Sequence, residues 1–331
     1  MNILFIQHRQ IGDVLMCTPA VRVLRRHCPD ADITFCVEPF SFEVLKHNPY
    51  IDNCIVPSRK PGIREWCSLH WRVRRRRFDA VIDFFKNPKS ALLTRISGAD
   101  IRVSLKGKYR NYAYTETVDM GSRYDYAAVQ KLRLLRPLGI DEEEDCMPDF
   151  FITDREREWA GSAWRAMGFS GTEFVTAVSP VSRKAYRVWP AEYYAEVCDY
   201  LAEKYGARIL LTWGPDEEHF IEPIVRSMKH DPVTDYPMPS LAELYALLEK
   251  CSLFIGNDNG PRHMAVAAGI PTVGLFGKTV PSSWTPPGAD LHTTLRPEPR
   301  SGHDGKKVYN IADLKPSHVI AGLDTKLEKF L

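Results

Sequence analysis

A polar turn, Asn-Asp-Asn-Gly, stands between two apolar segments in the stretch SLFIGNDNGPRHMAVAAGIPTVGLFG (residues 252–277). The pattern predicts a strand, the turn, a short helix that begins at Pro261, and a second strand. A helix N-terminus placed after a parallel strand carries unpaired N–H groups and the positive end of the helix dipole, so it favours an anion such as a diphosphate. Gly260 would let the backbone approach this anion, and His263 would donate to it from the first turn. An ordinary strand, turn and helix with an Asp or Asn cap is the alternative.

A second candidate for chemistry is the carboxylate of Asp13, which follows the first predicted strand (residues 2–7). Gly12 permits a tight turn there, and Asp13 begins the next predicted helix at the carboxyl end of the strand. A carboxylate in this place can act as a general base that takes a proton from an attacking hydroxyl group. The alternative is that Asp13 only caps the helix, because aspartate is a preferred N-cap residue.

The elements that must position these two turns alternate between strand and helix through both halves of the chain. Such alternation predicts an α/β protein with two Rossmann-like, doubly wound parallel sheets. Ligands bind at the carboxyl ends of such strands, so we expect the site in a crevice between the two halves. The predicted domains are residues 1–168 and 169–314, with a C-terminal helix at 315–331 that packs back on the first domain. Residues 13–27 and 124–138 are each predicted to form one helix.

Length and composition describe an ordinary globular protein. The 331 residues suit two domains, with 44% hydrophobic and 26% charged residues. The net charge of +2 requires no nucleic-acid partner. No apolar run approaches the roughly 20 residues that span a bilayer, and the first residues lack the features of a secretory signal, so we expect a cytoplasmic protein. The eight cysteines include no CxxC pair, which favours reduced thiols over disulfides or a zinc site, and we expect no metal.

Three motifs of other enzyme classes are absent from the sequence. Without GxGxxG, a dinucleotide-binding dehydrogenase is disfavoured. Without GxxxxGK[ST], a P-loop kinase or ATPase is disfavoured, and there is no GxSxG motif of the α/β-hydrolases.

Taken together, the two turns resemble glycosyltransferase family 9, the ADP-heptose:lipopolysaccharide heptosyltransferases. The residues that carry the resemblance are Gly12-Asp13-Val14-Leu15 with Thr18-Pro19-Ala20, Gly256-Asn257-Asp258-Asn259-Gly260-Pro261 with His263, and Leu275-Phe276-Gly277. The resemblance spans nearly the whole chain. It implies the GT-B fold, in which two Rossmann-like domains face each other across the active site. It also implies an inverting displacement at the anomeric carbon without a bound metal or other cofactor. The favoured donor is ADP-heptose, and the acceptor is a lipopolysaccharide inner-core sugar or a related surface glycan.

The resemblance also assigns roles to residues of this chain, and Asp13 takes the place of the general base. The residues in donor-binding positions are Asp258, Asn259, Gly260 and His263 in the helix-end motif, Thr279 in the following loop, and Glu217 and Glu218 in the acidic pair that binds the donor ribose. Where the family has a lysine before a Trp-Pro pair, this chain has Arg187. Arginine keeps the charge but changes the geometry. Lys184 and Arg183 are alternative cations for the donor phosphate.

Basic residues of the first half are assigned to the acceptor or to a membrane surface. They are Arg9, Arg72, Arg74, Arg75, Arg76, Arg77, Lys106 and Lys108. Anionic lipid headgroups or a phosphorylated glycolipid acceptor would complement their charge, so we expect peripheral contact with the cytoplasmic face of the inner membrane. A solvated helix end that complements the helix dipole is the alternative for the arginine run.

Two other functions remain open. A sugar-nucleotide epimerase on the same architecture would need acid and base groups on both faces of the sugar, which Asp13 alone does not supply. A catalytically inactive module that binds a nucleotide-sugar or a glycolipid is the second, and the arginine at position 187 supports it.

Overall fold

The computed structural model describes residues 1–288, 290–301 and 306–328. The chain divides into two compact units, Met1–Phe151 and Ile152–Leu331. Each unit is built on a parallel sheet with helices between successive strands, so the α/β class predicted from the alternation is confirmed.

The first unit contains a six-stranded sheet. Its strands are β1 (Asn2–Ile6), β2 (Asp32–Cys36), β3 (Asn53–Ile55), β4 (Ala80–Asp83), β5 (Ile101–Leu105) and β6 (Glu116–Val118). Its helices are α1 (Ile11–Leu15), α2 (Thr18–His27), α3 (Pro39–Phe42), α4 (Ile63–Arg75), α5 (Pro88–Ser97) and α6 (Ala127–Leu132). The strand order is β3-β2-β1-β4-β5-β6, and all neighbours are parallel. The order reverses between β1 and β4, which is where doubly wound sheets bind ligands.

The second unit contains a five-stranded parallel sheet. Its strands are β7 (Val175–Ser179), β8 (Arg208–Leu211), β9 (Leu253–Asn257), β10 (Thr272–Leu275) and β11 (His292–Leu295), and β12 (Arg300–Ser301) pairs separately with β13 (Lys307–Val308). Its helices are α7 (Asp154–Ala166), α8 (Ala191–Tyr205), α9 (Glu218–Ser227), α10 (Leu241–Leu248), α11 (Gly260–Ala267) and α12 (Pro316–Leu327). The order β11-β10-β9-β7-β8 reverses between β7 and β9.

The central strands are apolar because helices cover both faces of a parallel sheet. In β1, Ile3, Leu4, Phe5 and Ile6 are all fully buried. Within the two parallel sheets, the strands that the sequence did not predict are β5, β6 and β11, which lie toward the sheet edges and carry more polar residues. Because these strands contain polar residues, they lack the continuous apolar run by which a buried strand is recognised in a sequence.

Two predicted helices are divided in the structure. The helix expected at 13–27 consists of α1 and α2, and α2 begins with Pro19 in its first turn. Proline lacks an N–H group, so it favours a helix start at this point. The helix expected at 124–138 is the short α6 followed by a 3-10 segment, Arg133–Leu138, that contains Pro137.

The unit boundary lies before the predicted one at residue 168, because α7 packs in the second unit. Helix α7 contacts α10, and its Ala160, Ala163 and Trp164 are buried. Helix α12 packs on α8, with Val319 and Leu323 in the core of the second unit, where the prediction placed this helix against the first domain. Apolar side chains on these helices decide both positions. Residues 329–331 of the predicted C-terminal helix lie outside the described residues.

All eight cysteines are free thiols, and most of them are buried. Over the described ranges, no helix combines the length and the apolar character needed to cross a bilayer. No group of three His, Cys, Asp or Glu side chains gathers as a metal site in the same part of the chain.

Candidate functional site

The polar turn after β9 lies at the point where the second sheet reverses its order. Ser179, at the end of β7, pairs with Gly256 of β9. A Cβ atom on Gly256 would lie 2.7 Å from the carbonyl oxygen of Ser179. Glycine is therefore required for the two strand ends to approach each other beside the turn.

Asn257 ties this turn to the segment that carries Arg187. Its side-chain amide donates to the carbonyl of Pro180 (2.7 Å), and its Oδ1 accepts from the Trp189 backbone N–H (3.2 Å) and the Tyr194 hydroxyl (3.1 Å). Asn257 is fully buried, so these contacts fix the chain on both sides of Arg187. The sequence prediction did not identify this role.

Asn259 is the N-cap of α11, which begins at Gly260, one residue before the predicted start at Pro261. Its Oδ1 accepts from the Arg262 backbone N–H (3.0 Å), and its Nδ2 donates to Ser179 Oγ (3.0 Å) and to the carbonyl of Val181 (2.9 Å). The side chain is thus engaged within the protein. The backbone N–H of Gly260, at the first helical position, belongs to the group that has no partner inside a helix.

Arg187 lies beside this helix start. Its Nη1 is 2.9 Å from Oδ2 of the buried Asp258, the residue just before the cap. The two atoms are close without the alignment of a hydrogen bond, so the contact is a charge pair. Among the described residues, Nε of Arg187 has no hydrogen-bond partner. Arginine at this position therefore brings a cation with unused donors to the N-terminus of α11. Lys184 and Arg183 are exposed nearby in sequence.

His263 is neutral in this structure. Burial lowers the pKa of its imidazole to about 3, and the neighbouring charges of Arg262 and Arg187 act in the same direction. Its Nε2 is 3.8 Å from Asp258 Oδ1, which is longer than a hydrogen bond. The ring packs against Trp284, with the ring centroids 5.4 Å apart. His263 therefore offers a neutral donor or acceptor at the helix start, not a positive charge.

The remaining predicted donor residues lie on other loops of the same unit. Oε2 of Glu217 accepts from the Gly214 N–H at 2.9 Å, so this carboxylate closes the turn before α9. Glu218 is exposed in the first turn of α9, and Thr279 is half-buried in the loop after β10. The structure brings together Arg187 with the 258–263 motif. It shows no contact of Glu217, Glu218 or Thr279 with that group among the described residues.

Arg262 is a second residue that the sequence prediction did not single out. Its fully buried guanidinium donates to the Trp284 carbonyl (2.9 Å) and to Thr285 Oγ1 (2.7 Å). It crosses β10 at Gly274, where an added Cβ would lie 2.4 Å from its Nε. Arg262 thereby holds the loop that places Trp284 against His263. The sequence contained one signal of this contact: Gly274 lies inside an apolar strand, and a glycine in such a place indicates that another group approaches the strand closely.

In the first unit, Asp13 is the third residue of α1, and Gln10 is the N-cap. The interpretation of Asp13 as the cap itself is therefore wrong. Its Oδ2 accepts from the Gln10 N–H at a long 3.5 Å, and the residue is half-buried at the carboxyl end of β1. The peptide bond between Arg9 and Gln10 is cis. The carboxylate of Asp13 thus sits at the strand reversal of its sheet.

Cations surround this edge of the first sheet. Nζ of Lys131, from α6, donates to the Phe84 carbonyl at 2.9 Å and lies 3.5 Å from Gln7 Oε1. Burial lowers the pKa of His8 to about 4, with Lys89 and Arg9 acting in the same direction, so His8 is neutral. Arg9 is exposed at the end of β1. The sequence prediction included Arg9 but missed Lys131, which reaches the edge from a distant helix.

The basic residues assigned to the acceptor or to a membrane surface lie at opposite edges of the first sheet. Lys106 follows β5 at the carboxyl edge, and Lys108 lies in the same loop. The arginine run ends α4 before β4 begins, and the Arg76 carbonyl accepts from Asn2 at the start of β1. Parallel strands therefore separate Lys106 and Lys108 from the arginine run, and contact of these residues with an acceptor or a membrane stays a prediction.

Two Rossmann-like units, each built on a doubly wound parallel sheet, are the architecture of the GT-B fold. Residues 66–308 match the model of glycosyltransferase family 9 (heptosyltransferase). The chain belongs to this family.

The similarity to individual proteins extends over most of the chain. Lipopolysaccharide heptosyltransferase 3 of Escherichia coli K12 is 27% identical over 296 residues, which are 84% of this chain and 83% of that protein. A family 9 glycosyltransferase of Veillonella parvula has a similar crystal structure, with a TM-score of 0.88, 24% identity, and 99% and 97% of the two chains covered. An E. coli heptosyltransferase solved with ADP-2-deoxy-2-fluoro heptose has a TM-score of 0.72 and 19% identity, with 98% and 99% covered.

Proposed function

We propose that this glycosyltransferase transfers a heptose from ADP-heptose to a sugar of the lipopolysaccharide inner core or of a related surface glycan, with inversion at the anomeric carbon. The observation that carries the proposal is the cation of Arg187 beside the N-terminus of α11. A positive side chain and helix N–H groups are the groups that stabilise a departing diphosphate. The structure solved with an ADP-heptose analogue supports the choice of donor.

The proposed reaction is a single displacement. The acceptor hydroxyl oxygen attacks the anomeric carbon and forms the new glycosidic bond. The bond between that carbon and the diphosphate oxygen breaks, and its electron pair leaves with ADP. The hydroxyl proton passes to the carboxylate of Asp13, which acts as general base. Attack opposite the leaving group inverts the configuration.

Within this proposal, the second unit carries the leaving group without a metal. Arg187 supplies the charge, and the Gly260 N–H supplies a hydrogen bond at the helix start. His263 is neutral, so it would contribute a hydrogen bond to the donor and not a charge. Glu218, whose carboxylate is exposed, is better placed than Glu217 to bind the ribose hydroxyls, because Glu217 already accepts from Gly214. Thr279 would contact the donor from the loop after β10.

We place the reaction at the cytoplasmic face of the inner membrane. The eight free thiols support a reducing compartment. The acceptor would meet the first unit at the carboxyl edge of its sheet, where Arg9, Lys106 and Lys108 complement an acidic glycan.

Neither alternative function is favoured. An epimerase needs acid and base groups on both sides of the sugar, and membership of the heptosyltransferase family supports transfer instead. An inactive binding module would explain arginine at position 187 as a loss of function. Arg187 nevertheless reaches the helix start, which supports a retained binding role.

Calorimetric titration with ADP and UDP in the presence of a chelator, followed by a transfer assay with ADP-heptose, tests the proposal. We expect selective binding of ADP that magnesium does not strengthen, and a product of inverted anomeric configuration by NMR. Selective UDP binding would overturn the heptose donor, and a requirement for magnesium would overturn the metal-free mechanism. ADP binding without turnover on any core acceptor would support the binding module.

A further inference from the structure

Helices α4 and α5 lie side by side and present an unusual outer face. Nη1 of Arg74 donates to the Ser97 carbonyl at the end of α5 (3.1 Å), and Lys89 of α5 lies over the ring of Trp66 in α4 (5.7 Å). The two helices are therefore packed together over their whole length.

The outward positions follow the helical repeat. Ile63, Cys67, Trp71 and Arg75 are four residues apart in α4, and all are exposed, while Leu69 on the other side is in the core. Residues four apart lie on one face of a helix. We name the outer surface the basic helix face; its members are Ile63, Arg64, Trp71, Arg72, Arg75, Lys89, Leu92 and Arg95, all exposed.

The basic helix face has apolar side chains among its cations. Ile63 is 80% exposed, Trp71 59% and Leu92 42%. The guanidinium of Arg75 lies 5.0 Å from the centroid of the Trp71 ring. Exposed apolar side chains between arginines are typical of helices that lie in a membrane interface, where the rings and alkyl chains enter the lipid and the charges meet the headgroups.

The charge of this face is not neutralised within the protein. Helices α4 and α5 carry six basic residues and one acidic residue, Glu65, which accepts from Ser58. In the described part of the chain, no ion pair involves Arg64, Arg72, Arg75, Lys89 or Arg95. The net charge of the whole protein is only +2, so this excess is local.

Helix α2 shows that the same unit does neutralise arginines elsewhere. Arg22 pairs with Asp145 and Asp149, and Arg26 pairs with Asp145 and Glu142. Among the residues that the structure describes, the cations of the basic helix face therefore lack the carboxylate partners that the arginines of α2 have.

The arginines at the end of α4 lie away from the proposed acceptor-sugar site, whereas Lys89 and the start of α4 lie toward the same edge as that site. Helix α4 runs from the carboxyl edge of the sheet, where Asp13 lies, to the amino edge, where Arg76 contacts Asn2. Its 13 residues span about 20 Å. Most of its cations are therefore remote from the reacting hydroxyl, and they form an extended surface instead of a pocket.

We propose that the basic helix face docks on an anionic lipid bilayer, with Ile63, Trp71 and Leu92 in the interface and the cations against the headgroups. This proposal rests on the proposed function in one respect: a glycolipid acceptor would lie in the bilayer on which the face docks. Binding to vesicles without donor or acceptor therefore tests it independently of turnover.

The experiment is co-sedimentation of the full chain with vesicles of phosphatidylglycerol and phosphatidylcholine, compared with phosphatidylcholine alone. We expect binding only to the anionic vesicles, weakened by salt. The double variant Arg72→Gln/Arg75→Gln should bind about 25-fold more weakly, since each cation near the surface contributes about fivefold. Quenching of tryptophan emission by brominated lipid should fall in Trp71→Phe.

The matched control is Arg226→Gln/Lys229→Gln, which removes two exposed cations from the second unit. It should bind vesicles like the wild type, and both double variants should bind ADP like the wild type. Equal loss of vesicle binding in the control would overturn the proposal, because the attraction would then reflect net charge. Absence of wild-type binding to anionic vesicles, unchanged quenching in Trp71→Phe, or displacement of the vesicles by an equal charge of RNA would also overturn it.

Discussion

The carboxyl edges of the two sheets carry different chemistry although both are parallel and doubly wound. At the edge of the first sheet, a half-buried carboxylate, Asp13, lies at the third position of a short helix, and Arg9 and Lys131 lie at the same edge. At the edge of the second, a capped eight-residue helix begins beside the charge pair of Arg187 and Asp258. In the proposed function, the first edge would supply the proton acceptor and the second the anion site.

Under that proposal, one topology would serve two substrates. Parallel strands bring loops together at the reversal point in both units, so the backbone decides only where a ligand binds. The residues on the first turns decide what is bound. A carboxylate at the second edge in place of the Gly260 turn would repel a diphosphate, and a bare helix start at the first edge would have no group to accept a proton.

Asp13→Asn should have the largest effect, on turnover alone. Loss of the general base should lower kcat by about 10²- to 10⁴-fold, while the Kd for ADP stays within twofold, because the donor residues belong to the second unit. Transfer kinetics and calorimetry measure the two quantities. The control Glu243→Gln changes a carboxylate that likewise occupies the third position of a capping box, and it should leave kcat unchanged. A normal kcat in Asp13→Asn would show that the first edge does not supply the proton acceptor.

Arg187→Gln should instead weaken ADP binding, by about 10- to 100-fold, because hydrogen bonds to a charged group contribute about 1.5–3 kcal/mol. Arg187→Lys should lose less than tenfold, since the charge remains. Calorimetry of both variants with ADP measures the effect. The exposed neighbour provides the control: Lys184→Gln should change the affinity by less than threefold. A larger loss of ADP affinity in Lys184→Gln than in Arg187→Gln would indicate that Lys184, and not Arg187, contacts the phosphate.

Asn259→Ala should lower the free energy of unfolding of the second unit by about 2 kcal/mol. The substitution removes the N-cap bond to Arg262 and the bonds to Ser179 and Val181. Denaturant unfolding followed by hydrogen exchange in each unit measures the change. Asn310→Ala removes a cap bond that an exposed asparagine makes at the start of a 3-10 turn, and it should cost less than half as much. Equal losses of unfolding free energy in the two variants would mean that the bonds of Asn259 to Ser179 and Val181 add nothing to an ordinary cap.

Acidification should destabilise the second unit through His292 by a smaller amount. Burial lowers the pKa of His292 to about 4, so between pH 6.5 and 4 the unfolded chain binds a proton that the folded chain does not. Stability present above pH 6.5 is therefore lost as the pH falls, by about 1 kcal/mol between pH 7.5 and 5.5. Denaturation of the wild type and His292→Asn at both pH values measures this difference.

The exposed His318 supplies the control for that comparison, since His318→Asn should lose as much stability on acidification as the wild type. A pH dependence in His292→Asn equal to that of the wild type would show that His292 does not cause the loss. Because His263 is also held neutral in the second unit, and His8 in the first, the second unit should be the more sensitive of the two to acid.

Local sequence patterns predicted the α/β class, the doubly wound arrangement and the polar turn with its short helix, although this helix begins at Gly260, one residue before the predicted start at Pro261. These follow from local chemistry: apolar runs form buried strands, asparagine caps a helix, and glycine permits the approach of Gly256 to Ser179. The family followed from the same two turns, because their residue types and order were both visible in the sequence.

Which side chains meet depends on tertiary packing. The pairing of Arg187 with Asp258, the reach of Lys131 to the edge of β1, and the buried Arg262 that holds Trp284 all join residues from separate elements. The unit boundary and the place of α12 depended on packing partners in the same way, as did the separation of Lys106 from the arginine run. Spacing along a chain fixes what lies on one helix face or strand edge. Contacts between elements depend on how their apolar faces pack together, and that is a property of the whole fold.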